Sequence, residues 1–272
     1  MQIEEISLFG GRTKSGEAEA VKRVDLRMGE VISIVGATGS GKTTLINDIG
    51  LFANENTPSR RHVWINGKTP DENMVSDPSQ NPIALITQHT SFLSDLPVAE
   101  FLHTHARIRR YSGNSVVEET LDFANQLTGE PIITDCAMTE LSGGQSRALL
   151  IADAVVIGNS PIILLDEIEN AGIDRIKALE LLQHYQKVFV FVTHDPRIAL
   201  LSDCRIVMVN GGMQQLIMTS AGEKHIAEQI KLLDALMINL RNKIRGGQQL
   251  VESDMQDLLS RTMADLQQGG LT

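Results

Sequence analysis

The chain has 272 residues, 42% hydrophobic and 21% charged, which is ordinary for a folded globular protein and too apolar for a disordered one. It carries 24 Lys and Arg against 34 Asp and Glu, a net charge of −10, so no nucleic-acid partner is expected, because that grip needs clustered basic side chains. Aromatic residues are only 4%, so the core must be aliphatic, and the length suits one large domain with an appendage.

In chain order, residues 3–8 predict a short strand. Residues 10–16 form a glycine-flanked loop carrying Arg12 and Lys14. Alternation over residues 21–28 predicts a half-buried strand, and the β-branched run 31–35 one buried on both faces. Gly36 to Gly41 breaks that strand, and residues 43–51 then predict a helix. Residues 62–65 read as a strand closed by Asn66 and Gly67, 69–82 as a polar loop, and 83–87 as a strand. Helical spacing over 97–128 marks a mostly helical insert. Residues 141–145 read as a loop entering a helix over 146–156. Strands at 162–165, 188–192 and 206–209, with a helix at 175–186 between the first two, give an α/β domain with a largely parallel sheet.

The tail differs. Ile226, Ile230, Leu233, Met237, Leu240 and Ile244 recur at alternating steps of four and three, an apolar seam along one helix. The seam either folds back on the parent domain or serves docking or dimerisation. A second, weaker helix is expected around Leu258, Leu259, Met263 and Leu266.

No apolar run approaches the roughly 20 residues of a membrane span. The N-terminus has no apolar signal core. Cys136 and Cys204 show neither CxxC nor metal-ligand spacing, as in a chain with free thiols. The expected location is cytoplasmic, with peripheral attachment at the cytoplasmic face of the membrane through a partner and no direct membrane insertion.

Three motifs carry the chemistry. Gly36, Ala37, Thr38, Gly39, Ser40, Gly41, Lys42 and Thr43 fit G-x-x-x-x-G-K-[ST], between a buried strand and a helix. There the backbone N–H groups and helix N-terminus attract phosphate, Lys42 adds a full charge, and the Thr43 hydroxyl, followed by Thr44, is a hard oxygen for Mg²⁺. The apolar strand 162–165 delivers Asp166 and Glu167 at its C-terminal end, where ligands bind in parallel sheets. Asp166 is suited to hold Mg²⁺ and Glu167 to polarise a water. Leu141, Ser142, Gly143, Gly144 and Gln145 precede a helix and form a second anion-seeking end.

With that LSGGQ sequence and the full phosphate loop in this order, the chain resembles the ATP-binding cassette (ABC) ATPase family over residues 1–218. The resemblance implies a P-loop NTPase fold with a mostly parallel central sheet, an antiparallel N-terminal β-subdomain, a helical insert over about residues 89–158, and a C-terminal helical extension over 219–272. It implies ATP and Mg²⁺ as ligands. It also implies a head-to-tail pair of cassettes, a homodimer here, in which Ser142, Gly143, Gly144 and Gln145 close over the partner's nucleotide. Gln88 matches the Q-loop glutamine, a metal and water sensor; His194 matches the switch histidine on the γ-phosphate; Asp174 matches the D-loop aspartate. Phe9 lies where the family places an adenine-stacking aromatic, and a core phenylalanine is the other reading.

The chain departs from the family pattern in three places. No proline follows Glu167, and the run from there to Asp174 is one residue longer than the family pattern. The order after Gln145 is Ser146, Arg147, Ala148. Asp153 stands where a later arginine is common.

The expected function is ATP hydrolysis that powers a transmembrane permease on a separate chain, docked near Phe92, Leu93, Leu96 and Phe101. The alternative is a soluble, non-transport ABC ATPase acting on a macromolecule or in assembly or repair of another enzyme.

Overall fold

The computed structural model describes residues 3–77, 80–87, 89–111, 113, 115–166, 173, 175–252, 255–256 and 259–260. The chain divides into two compact units, Met1–Met218 and Thr219–Thr272.

The described residues of the first unit form two sheets. Strands β1 (Glu5–Phe9), β2 (Arg23–Arg27) and β4 (His62–Ile65) form an antiparallel sheet in the order β2-β1-β4. The central sheet runs β5-β6-β7-β3-β8-β9, with β3 (Val31–Val35), β5 (Ile83–Ile86), β6 (Ile162–Asp166), β7 (Val188–Val192), β8 (Cys204–Val209) and β9 (Gly212–Met218). Its first five strands pair in parallel, and β9 returns antiparallel to β8.

The apolar runs behave as a two-faced sheet requires. Val188, Val190 and Val192 join one core, which contains Leu45, Ile46 and Ile49 and the inner face of the antiparallel sheet. Phe189 and Phe191 project the other way, into a second core with Leu121, Ala148 and Leu149. β6 splits likewise, Ile162 and Leu164 to the first core and Ile163 and Leu165 to the second.

The helices are α1 (Lys42–Gly50), α2 (Glu72–Ser76), α3 (Val98–Ile108), α4 (Val116–Leu127), α5 (Gly143–Val155), α6 (Arg175–Leu182) and α7 (Pro196–Leu201). Three sequence expectations need correction. α5 starts at Gly143 and not at Ser146, because Ser142 and Gln145 close a capping box that overrides the poor helix propensity of two glycines. The expected loop over 69–82 contains α2, whose first turn is capped by the Asp71 carboxylate accepting from the Met74 N–H at 2.9 Å. The expected strand over 206–209 starts at Cys204 and turns at Asn210 and Gly211, both with positive φ (49° and 81°), into β9, a hairpin that the sequence pattern did not predict.

The second unit is built on α8 (Ala221–Arg245), opened by a capping box between Ser220 and Glu223. Ile226, Leu233, Met237 and Ile244 of its apolar seam are exposed. The second tail helix expected around Leu258, Met263 and Leu266 lies outside the described residues except at Leu259.

Candidate functional site

Register brings the motif-bearing strand ends into one row. Ile34 of β3 pairs with Val192 of β7, and Val192 pairs with Asp166 of β6. The Thr193 N–H donates to the Ile34 carbonyl at 3.2 Å, so the β7 exit is tied to the strand that enters the phosphate loop. Gly36 lies two residues beyond this row on β3 and His194 two beyond it on β7. Asp166 lies in the row itself, two strand spacings from β3, about 10 Å. Asp166 is buried and His194 exposed. Gln88, Glu167 and Asp174 lie outside the described residues.

The phosphate loop is wound by its own backbone. Gly41 caps α1 at φ 98°, a left-handed conformation, and a Cβ there would lie 2.8 Å from Gly211 Cα of the β8–β9 turn. That turn is bonded to the loop, the Gly211 N–H donating to the Ser40 carbonyl at 2.8 Å. Lys42 is buried, and its Nζ donates to the carbonyls of Gly36 at 2.9 Å and Ala37 at 3.2 Å. Thr38, Gly39, Gly41, Lys42, Thr43 and Thr44, together with Lys14, line a cleft of about 250 Å³. Such a cleft offers N–H donors, two ammonium groups and hydroxyls, which is the chemistry of a phosphate chain.

Beneath the loop lies a buried ionic cluster that sequence reasoning did not find. Arg61 is fully buried and pairs with the Glu19 carboxylate and, at 2.8 Å, with Asp48 of α1. Its guanidinium also donates to the Gly211 carbonyl at 2.7 Å. Glu19 accepts from the N–H groups of Gly11 and Met213, both at 2.8 Å. One side chain thus joins the loop around residue 11, helix α1 and the hairpin turn. In sequence, Arg60, Arg61 and His62 look like a solvated charge run, and nothing in their spacing marks the middle one as core.

The LSGGQ segment is built differently. The Ser142 hydroxyl accepts from the Gln145 N–H at 3.3 Å, and Gln145 Oε1 accepts from the Ser142 N–H at 3.0 Å. Gln145 Nε2 donates to the Pro131 carbonyl at 3.1 Å, anchoring the cap. Ser142 and Gly143 are exposed, and no atom lies within 4 Å of where a Gly143 Cβ would be. The first-turn N–H groups of α5 therefore head a helix end that opens outward.

A family model described as "ABC transporter" matches residues 22–170. The chain is 47% identical, over 94% of its length and 98% of the relative's, to an uncharacterised ABC transporter ATP-binding protein of Methanocaldococcus jannaschii. The chain belongs to the ABC transporter family. As an ABC cassette it is an ATP-binding ATPase whose hydrolysis powers transport. A lipoprotein-releasing system ATP-binding protein of Cytophaga hutchinsonii is 27% identical, over 77% of this chain and 99% of the relative. Among solved structures, an ATP-binding cassette dimer in a post-hydrolysis state, bound to ADP and Pi, matches with a TM-score of 0.60 and 26% identity, over 79% of this chain and 99% of that one.

Two positions singled out in the sequence are engaged by neighbouring side chains. Phe9 stacks on His62 (centroids 4.4 Å apart, 14° between planes), meets Trp64 edge-on and lies 5.2 Å beneath the Arg23 guanidinium carbon. Asp153, in place of the common arginine, has its carboxylate 2.7 Å from His105 Nδ1 and so links α5 to α3.

Proposed function

We propose that the chain is the nucleotide-binding subunit of a membrane transporter, acting as a head-to-tail homodimer beside a permease on a separate chain. The observation that carries this reading is the row formed by the ends of β3, β7 and β6, which sets the phosphate loop, His194 and Asp166 along one sheet edge. The family relatives, which are transporter ATP-binding proteins, favour transport over a non-transport role. The exposed Leu93 and Leu96, with Phe92 and Phe101 packed edge to face at 5.1 Å, supply an apolar surface for the permease. Among the described residues no helix is long and apolar enough to cross a membrane, so contact with the bilayer goes through that partner at its cytoplasmic face.

In this mechanism the backbone of residues 36–43 wraps the triphosphate, Lys42 neutralises its outer phosphates, and His194 contacts the γ-phosphate. Glu167 orients the attacking water, Gln88 senses that water, and Asp174 links the two sites. The partner's copy of the Ser142-headed helix end covers the nucleotide, with Gly143, Gly144 and Gln145 behind it. Phosphoryl transfer to water is mainly positioning and charge stabilisation, which these groups supply. The oxygen donors at hand, the Thr43 hydroxyl and the Asp166 carboxylate, fit Mg²⁺, which takes one or two protein oxygens and completes its shell with phosphate and water. When bound there with Gln88, Mg²⁺ would offset phosphate charge.

The test is Glu167→Gln. This variant is expected to bind ATP as the parent does, to stop turnover and to accumulate as a dimer in size-exclusion chromatography with ATP. Full turnover would overturn the role given to Glu167.

A further inference from the structure

Lys42 is not the only ammonium group on the phosphate loop. Lys14 arrives from the glycine-flanked loop between β1 and β2, and its Nζ donates to the Gly39 carbonyl at 2.8 Å. The two lysines share one arrangement, each resting on carbonyls of residues 36–39 and each lining the same cleft. A carbonyl oxygen carries a partial charge and a phosphate oxygen a formal one. An ammonium group is attracted more strongly to the formal charge, so a bound triphosphate outcompetes the carbonyls for both lysines.

The backbone of Lys14 is held for this purpose. Its N–H donates to the Asn210 carbonyl at 2.8 Å. Gly211 lies so close that a Cβ there would be 2.7 Å from Lys14 Cγ. Gly211 is itself fixed to Ser40 and to the buried Arg61, so the lysine stem runs between a clamped turn and the phosphate loop. A flexible stem ending in a point charge reads charge and not ring edges. Phe9, the aromatic side chain that ends β1, is engaged by His62, Trp64 and Arg23.

We propose that Lys14 is a second phosphate-binding lysine of the nucleotide site, which adds affinity for the triphosphate chain without reading the base. This rests on the assignment of residues 36–43 as the nucleotide site.

The experiment measures dissociation constants of ATP and GTP, by displacement of trinitrophenyl-ATP from the full chain, at low and at physiological ionic strength. Lys14→Ala is expected to weaken both nucleotides about tenfold, about 1.4 kcal/mol. The same variant should flatten the salt dependence and leave the melting temperature without nucleotide in place, and Lys14→Arg should restore binding. Unchanged affinity in Lys14→Ala, while Lys42→Ala abolishes binding, would overturn the role of Lys14 and leave the nucleotide site standing. A loss confined to ATP would assign Lys14 to the base and overturn it as well. If neither lysine mattered, the nucleotide-site assignment itself would fall.

Discussion

The phosphate loop and the LSGGQ helix end are both helix N-termini suited to anions, yet they are finished to different degrees. The loop at Gly36 is clamped from several sides: a buried lysine sits on its carbonyls, a hairpin turn presses on Gly41, and a buried arginine holds that turn. Among the described residues the Ser142 end is held from behind, by Gln145 and Pro131, and stands open at Gly143. The first is a site built within one chain. The second, in the function proposed above, is half a site whose ligand a second body supplies. In physical terms the difference lies in pre-organisation: the loop is fixed before ligand arrives, whereas the helix end acts only when brought to a nucleotide.

The strongest way to break this contrast is to loosen the clamp. Replacing Arg61 with Met leaves the Glu19 and Asp48 carboxylates buried without their guanidinium. Removing one partner of a buried ionic group costs about 3–5 kcal/mol. Urea denaturation of Arg61→Met should show a loss of that size, and the folded fraction should bind nucleotide more weakly, since the Gly211 turn loses its anchor. A loss under about 1 kcal/mol would mean that the phosphate loop does not depend on the cluster.

How much of this was legible follows from which interactions are local. The phosphate loop, the apolar strands ending at Asp166 and before His194, and the helices at 98–127 can all be read from spacing within a few residues. The start of α5 could not be read from propensity, because two glycines argue against helix and only the reciprocal Ser142–Gln145 bonds outweigh them. Arg61, Glu19, Asp48 and Gly211 are far apart in the chain and meet only through tertiary folding. Lys14 is 25 residues from Gly39, and in sequence it has the character of an ordinary loop cation. Even the unpredicted hairpin had a signal, Asn210 followed by Gly211, the pair that favours a tight two-residue turn.

Lys187, at the start of β7, sharpens the contrast from the sheet edge opposite the phosphate loop. Its ammonium donates to Asn159 Oδ1 at 2.8 Å and to the Ser160 carbonyl at 3.0 Å, and burial lowers its pKa from 10.5 to about 8. Between those values the unfolded chain holds a proton that the native chain has released. Stability therefore rises with pH from about 8 to 10.5, by up to about 3 kcal/mol. The buried Cys204 thiol, raised from 9.0 to about 11, acts in the opposite direction over 9 to 11. Lys187→Met should keep the Cys204 trend and lose the Lys187 rise, so the difference between the two urea profiles isolates the lysine. ATP affinity at pH 7.5 should not change, because this edge takes no part in the site. A parallel fall in affinity would mean that the two sheet edges are coupled.

The smallest expected effect on stability bears most directly on whether the Ser142 end is half a site. Ser142→Ala removes the hydroxyl that accepts from the Gln145 N–H, a capping loss of about 1 kcal/mol. Binding of ATP by a single chain should be unaffected, since the phosphate loop is complete without it. Turnover should fall on the order of a hundredfold, the usual loss when one donor to developing charge is removed. Ser142→Asp separates the two roles, because aspartate caps as well as serine but sets a negative charge where a partner's phosphates would come. It should melt like the parent and hydrolyse ATP more slowly than Ser142→Ala. Turnover that followed helix stability, with Ser142→Asp as active as the parent, would reduce the LSGGQ segment to a helix cap and leave the phosphate loop to work alone.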